Sequence, residues 1–290
     1  MLIAFMALQQ LVFVVSVVGN AIVLIVFIKY LRFKAYSNRF VVSLALSDLI
    51  TGLATGLQMY FILYPTLSTS LFLCIARYEV IGYMASLQQV TVCLAAFDRY
   101  VAICHPHKYS KIVTRTTSNV MAVTPWIVLA YKIIYPLVKM AYLPTGIRCR
   151  SKTYFSVLYR GVIAIFVYII SFITFAFYIL ILKVAWRFHR KIGAMDSKDN
   201  HRSKTIAKDI TRAKVTGIVA VVFSVCWLPY MAFRLRDMAN DSQRGVIEQT
   251  ISNWMVFLGI FNCLANPLIY AWKRPDFRQS CKSLFSCKKA

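Results

Sequence analysis

Asp98 and Arg99 stand side by side at the end of the apolar run Cys93-Leu94-Ala95-Ala96-Phe97. An acid and a base at that depth are costly in lipid, so the pair needs a task. An arginine beside a carboxylate can be held in one state and freed in another, which is the chemistry of a switch. Asp48, in Leu44-Ala45-Leu46-Ser47-Asp48, is a lone carboxylate deep among apolar residues. Ionised, it needs a cation, water or a partner; protonated, it can hydrogen-bond inside a bundle. Asn262 and Asn266, four apart, share one helical face. The eight cysteines are scattered with no CxxC pair, which argues against a zinc site. No residue is assigned a catalytic role, and the chain is not read as an enzyme.

These residues sit in elements that the composition dictates. The chain is 59% hydrophobic with a mean hydropathy of +0.63, more apolar than a soluble domain of 290 residues. Seven runs are long enough to cross a bilayer, which takes roughly 20 residues. They cover 2–29, 37–63, 74–103, 118–140, 155–185, 213–236 and 247–271. A lipid-facing backbone must satisfy its own hydrogen bonds, so the runs are helices. Barrel strands of about 10 residues with alternating polarity are absent. The fold class is therefore an all-α membrane protein, a seven-transmembrane helix bundle. The first run is too long for a signal-peptide core and lacks a basic flank, so no cleaved leader and no N-terminal binding domain are expected.

The net charge of +24 raises the question of nucleic acid, but no basic groove interleaved with aromatics appears. Of the 34 lysines and arginines, 24 fall in alternate loops, the tail and Arg99, as the positive-inside rule requires. The N-terminus is thus expected outside and the C-terminus in the cytoplasm. No internal repeat is evident, so the inverted halves of a transporter are not expected. A channel or transporter using Asp48 as an ion site is the competing class.

Along the chain, Asn20 is expected to hydrogen-bond a neighbouring helix. Cys74 and Arg99 are about 37 Å apart along a helix. That puts Cys74 at the oxidising outer face, where a disulfide persists. Its expected outside partner is Cys149. Lys132 lies inside the fourth span and either snorkels outward or faces inward. Residues 187–214 read as a charged loop, either a solvated linker or a docking surface for a cytosolic partner, with the sixth span starting near Asp209. Pro229 must kink the sixth span, and Pro267 breaks the seventh. Asn240-Asp241-Ser242 is a glycosylation sequon if outside. The tail is basic and amphipathic, so the chain divides into a seven-transmembrane domain at 1–272 and a short amphipathic cytoplasmic helix with tail at 273–290. Cys281 or Cys287 could be acylated there.

Taken in order, these motifs resemble the rhodopsin-like G-protein-coupled receptors over essentially the whole chain. The resemblance rests on Gly19-Asn20, Leu44 to Asp48, Cys74, Asp98-Arg99-Tyr100, Trp126, Cys149, Tyr178, Phe223 with Cys226-Trp227-Leu228-Pro229, and Asn266-Pro267-Leu268-Ile269-Tyr270. It implies a plasma-membrane receptor that activates a heterotrimeric G protein by outward swing of the sixth helix, with arrestin and membrane lipids as further partners. Arg99 resembles the arginine that pairs with Asp98 at rest, with Asp209 at the position of a second clasp. Asp48, Asn262 and Asn266 resemble a sodium site, the one cofactor the resemblance implies. Trp227 looks like a rotamer switch, and Tyr178 and Tyr270 like a pair that moves inward. The Cys74–Cys149 disulfide is implied as well.

Departures narrow the ligand. Ile170 stands where the fifth helix usually has proline. Gln88 and Gln89 replace a serine and an aliphatic residue in the third helix. The amine-binding aspartate, 18 residues before Arg99, is Ile81, and the retinal-binding lysine, seven before Pro267, is Ile260. A monoamine pocket and a retinal linkage at the usual site are therefore not expected. The expected pocket is apolar and aromatic: Ile81, Met84, Ala85, Trp227, Tyr230, Val256 and Ile260. Arg77, Arg160 and Arg234 stand at its mouth. Because arginine pairs with carboxylate or phosphate, the expected ligand is an acidic lipid or small organic anion. A peptide, an atypical amine or constitutive signalling is the alternative.

Overall fold

The computed structural model describes residues 2–31, 36–64, 70–140, 142, 157–192, 200–239 and 246–286. Within those helices the side chains of Cys74, Arg77, Arg160, Asp209 and Arg234 lie outside the described set. Ten α-helices are described. They are α1 (Leu2–Val26), α2 (Asn38–Leu63), α3 (Leu71–Cys104), α4 (Pro106–Ile112), α5 (Arg115–Val128), α6 (Tyr131–Met140), α7 (Val157–Ile192), α8 (Asn200–Ala239), α9 (Val246–Lys273) and α10 (Pro275–Phe285). They supply seven segments long and apolar enough to span a bilayer, with α5 and α6 sharing the fourth. The described residues contain no strand.

The bundle is organised around α3, which packs against α2, α7, α8 and the fourth span. Its interior is unusually polar, with Ser47, Asp48, Thr51, Gln88, Gln89, Asn262 and Asn266 all buried. Its outer face is apolar: Phe172 is 76% exposed, and Leu182, Val225 and Leu268 are exposed too. That inversion is stable only in lipid, where interhelical contacts come from packing and hydrogen bonds rather than from hiding apolar surface.

Four local features differ from the expected runs. The end of α1 widens into a π turn at Phe27–Leu31. This aims Phe27 at Tyr270 and Phe277, with ring centroids 6.4 and 5.9 Å away. The segment after α3, expected as a loop, is the helix α4, begun by Pro106 at its first position, where a missing N–H costs nothing. The fourth span is broken: α5 ends at Val128, Leu129 and Ala130 form a turn, and α6 resumes at Tyr131. The charged segment 187–214 is largely helical, because α7 continues to Ile192 and α8 begins at Asn200, before Asp209. Long basic side chains are good helix formers, so the apolar pattern ended before the helix did.

Candidate functional site

Toward the C-terminal end of α3, Asp98 is fully buried and Arg99 is 3% exposed. Arg99 Nε and Nη2 both donate to Asp98 Oδ2, at 2.8 and 2.5 Å. The hydroxyl of Tyr109, on α4, donates to Asp98 Oδ1 at 3.0 Å and accepts from Arg99 Nη2 at 3.4 Å. Both oxygens of the carboxylate are thus engaged, one by the arginine and one by the phenol. Tyr100 points elsewhere: its hydroxyl meets His105 Nε2 at 3.1 Å and its ring lies against Phe177. Arg99 lines a cavity with Arg212, Tyr270 and Arg274, over a floor that includes Phe40 and Leu44. Tyr178 and Tyr270 belong to the same buried cluster. Tyr109 was missed from sequence, although Pro106 signals a helix start.

Midway along the bundle, Asn20 Nδ2 donates to the Cys263 carbonyl at 2.9 Å, tying α1 to α9. Asn266 Nδ2 donates to Asp48 Oδ2 at 2.7 Å. Asn262 bonds elsewhere. Its Nδ2 donates to Gln88 Oε1 at 3.4 Å, and Gln88 Nε2 donates to Thr51 Oγ1 at 3.3 Å and Cys263 Sγ at 3.8 Å. Asp48 Oδ1, Asn262 Oδ1 and Asn266 Oδ1 are buried without a hydrogen-bond partner among the described residues. Buried oxygens in that state call for water or an ion. A carboxylate oxygen and two amide oxygens are the atom types that a small hard cation such as sodium takes as ligands. Bound, the ion would supply a positive charge that neutralises Asp48. Gln88 and Cys263 contribute an amide N–H and a thiol to that neighbourhood.

Nearer the outer half, Trp227 is buried between Phe223 and Tyr230, with ring centroids at 6.4 and 6.3 Å. It lies flat against α9 because position 259 is glycine: a Cβ there would sit 2.8 Å from the indole. Ile81, Ala85, Trp227 and Ile260 share one apolar cluster, with Tyr230 and Val256 at its edge. Met84 is turned away. It packs with Tyr83, Leu87 and Leu129 against the fourth span, because consecutive helical positions diverge by about 100°. Gln89 Nε2 donates to Ser171 Oγ at 3.1 Å, linking α3 to α7. Gln89 Oε1 and Trp227 Nε1 have no partner. Pro229 lies inside α8 and Pro267 inside α9.

Lys132 faces inward and is buried, with Nζ 2.6 Å from both the Gly82 carbonyl and Ser86 Oγ. Glu79, also buried, accepts from the Tyr159 hydroxyl at 3.3 Å. The expected rim arginines Arg77, Arg160 and Arg234, the second clasp Asp209, the cysteine pair Cys74 and Cys149, Asn240 and Cys287 fall outside the described side chains.

At the other end, Arg274 joins three elements. Its guanidinium donates to Asn38 Oδ1 at 3.2 Å and Asp276 Oδ2 at 2.6 Å and stacks over Phe27. Burial works to raise the Asp276 carboxyl, but the hydrogen bond and charge of Arg274, with the Phe277 N–H, hold it below the usual carboxylate range. Cys281 is a half-buried free thiol, and burial pushes its pKa up.

The polar core around Asp48, the Trp227 cluster and the clasped Arg99 thus follow one another along the interior of the bundle. Residues 19–270 match the family described as "7 transmembrane receptor (rhodopsin family)". The chain belongs to that family. It is 27% identical to a Gq-coupled rhodopsin of the scallop Mizuhopecten yessoensis, over 94% of this chain and 58% of that one. It is 26% identical to the histamine H2 receptor of Rattus norvegicus, over 94% of this chain and 77% of that one. The chain therefore spans little more than half of the rhodopsin it matches.

Proposed function

We propose that this receptor converts binding of an extracellular ligand into nucleotide exchange on a heterotrimeric G protein. The observation that carries the reading is the Asp98–Arg99–Tyr109 clasp beside a cavity lined from α2, α3, α8 and α9. Outward swing of the inner end of α8 widens that cavity, and release of Arg99 gives a partner helix its contact. The ligand is an acidic lipid or small organic anion, because the pocket cluster around Trp227 is apolar while the outer ends carry Arg77, Arg160 and Arg234. Arrestin competes for the same inner face. The receptor works in the plasma membrane with its N-terminus outside, Cys74 joined to Cys149, Asn240 open to glycosylation, and Cys281 or Cys287 acylated. A sodium ion at Asp48 favours the resting state.

The test is GDP–GTP exchange on several purified G-protein heterotrimers, with the receptor in lipid nanodiscs and Arg99→Ala as control. Exchange that depends on Arg99 supports the reading. Exchange by no heterotrimer, together with ion flux across receptor liposomes, rules it out.

A further inference from the structure

Lys132 is a buried charge that the proposed switch does not use. An ammonium inside a membrane span is costly, and such residues usually mark a functional path. Lys132 does not snorkel: it is 3% exposed, and its two hydrogen bonds go to neutral oxygens, the Gly82 carbonyl and Ser86 Oγ, both at 2.6 Å. A lysine has three N–H donors, so one remains. Among the described residues the acid of its neighbourhood is Glu79. That acid already accepts from Tyr159, whose ring stacks on Tyr135 at 5.0 Å and whose hydroxyl also lies 3.4 Å from the Lys132 carbonyl.

Two further observations mark the place as a site. The fourth span breaks at Leu129–Ala130, immediately before Lys132, with the backbone bonded in three-residue turns there: Ala130 N–H donates to Ile127 O at 3.2 Å and Lys132 N–H to Leu129 O at 3.0 Å. Irregular backbone at membrane depth is tolerated where it is buried in protein or lines a cavity. Lys132 lies on the buried stripe of the fourth span with Pro125, Leu129 and Pro136, whose helical spacing runs through the turn and faces the bundle. Opposite it, position 82 is glycine, and among the described residues the one atom within 4 Å of a Cβ placed there is Lys132 Nζ, at 3.8 Å. A methyl group there would stand in ordinary contact with the ammonium, so glycine leaves about a methyl's width beside it. On the same stretch of α3, Ile81 and Ala85 face the apolar cluster with Trp227.

We propose that Lys132 is the anchor for the acidic group of the ligand: a carboxylate or phosphate monoester pairs with Nζ beside Gly82 and Ser86, and an apolar body extends toward Ile81, Ala85 and Trp227. The inference rests on the acidic-ligand reading above, but it moves the charge contact from the rim arginines into the bundle. Glu79 sets selectivity by repelling anions that are not seated on Lys132. The acid arrives either from water or as a lipid headgroup.

The experiment uses the full chain in phosphatidylcholine nanodiscs and follows thermal unfolding with octanoate, octyl phosphate, octanol and octylamine. The two acids stabilise the receptor, while the alcohol and the amine do not. Lys132→Met, which replaces the ammonium by an apolar chain of similar length, weakens the acid effect on the order of 100-fold. Lys132→Arg keeps it, and Glu79→Gln strengthens it. A second set of nanodiscs containing phosphatidic acid separates the sources: stabilisation by that lipid, lost in Lys132→Met, assigns the headgroup. Equal stabilisation of wild type and Lys132→Met by the acids overturns the anchor and leaves the acidic-ligand reading standing. A wild type that neither the acids nor phosphatidic acid stabilises overturns both.

Discussion

Tyr109→Phe removes the phenol's share of the clasp, the bond to Asp98 together with the longer one from Arg99. The change removes a hydroxyl that donates to Asp98 Oδ1 at 3.0 Å and leaves the ring in place. Hydrogen bonds to charged groups contribute about 1.5–3 kcal/mol, and a half-buried phenol belongs at the lower end. If the contact exists only while Arg99 is clasped, its loss shifts the resting-to-active ratio by about tenfold, since 1.4 kcal/mol is a factor of ten. While the active fraction is small, basal exchange rises by the same factor. The assay is nucleotide exchange without ligand at matched receptor density. Tyr109 also lies on the inner face, so a lost G-protein contact could mask the gain. A double-mutant cycle with Asp98→Asn separates the two effects. If Tyr109 acts through Asp98, its effect vanishes in the Asp98→Asn background. Equal effects in both backgrounds, or flat basal exchange in the single variant, would refute the restraint.

Four more expectations follow from the same contacts. Asp209→Ala raises basal exchange if Arg99 has a second acidic partner, and unchanged basal exchange in well-expressed protein leaves Asp98 as the sole acid in the restraint. Gly259→Ala puts a methyl group 2.8 Å from the Trp227 indole, so overpacking lowers stability by about 1–3 kcal/mol, read as a fall in Tm; an unshifted Tm means the indole moves without cost. Gln89→Leu removes the α3–α7 hydrogen bond to Ser171 and a buried unpartnered oxygen, so Tm rises while ligand-free exchange also rises; Ser171→Ala should reproduce the second effect alone. Asp276 has its carboxyl held below the unfolded value, so its support of α10 is complete above the ordinary carboxylate range and fades as pH falls through the lowered value. A spin label on Cys281 should report α10 loosening only in that acid window, and Asp276→Asn should abolish the pH dependence.

Where the sequence was legible, the physics was local. Seven apolar runs were readable because a bilayer demands about 20 apolar residues and a helix to carry them. Asp98–Arg99 was readable because adjacent opposite charges at an apolar boundary have few other uses. Asn20 was readable as an interhelical donor for the same reason. Side-chain choice among several partners was not. Asn262 and Asn266 share a face, yet only Asn266 reaches Asp48, because Gln88 from α3 takes Asn262. Met84 has the right hydrophobicity for the pocket and the wrong azimuth. Lys132 was left between an outward and an inward placement, and its spacing from Pro125, Leu129 and Pro136 puts it on the buried face of the fourth span.

These misses share a cause that bears on how the receptor moves. Gln88, Gln89 and Lys132 are polar residues where apolar packing is the simpler choice, and each links α3 to a different helix: Gln88 to α2 and α9, Gln89 to α7, Lys132 from α6. In lipid, apolar contacts between helices lack the drive that water gives, and they slide gradually. A hydrogen bond breaks over a fraction of an ångström and leaves an unpaired group whose burial costs energy. Links of this kind give two defined arrangements rather than a continuum, which is what a receptor needs if a ligand is to shift populations. Gln89 already carries an oxygen without a partner, and Trp227 carries a free N–H one cluster away. Among the described residues, polar capacity is therefore left unused on both α3 and α8, and a rearrangement that paired either group would recover part of the cost of burying it.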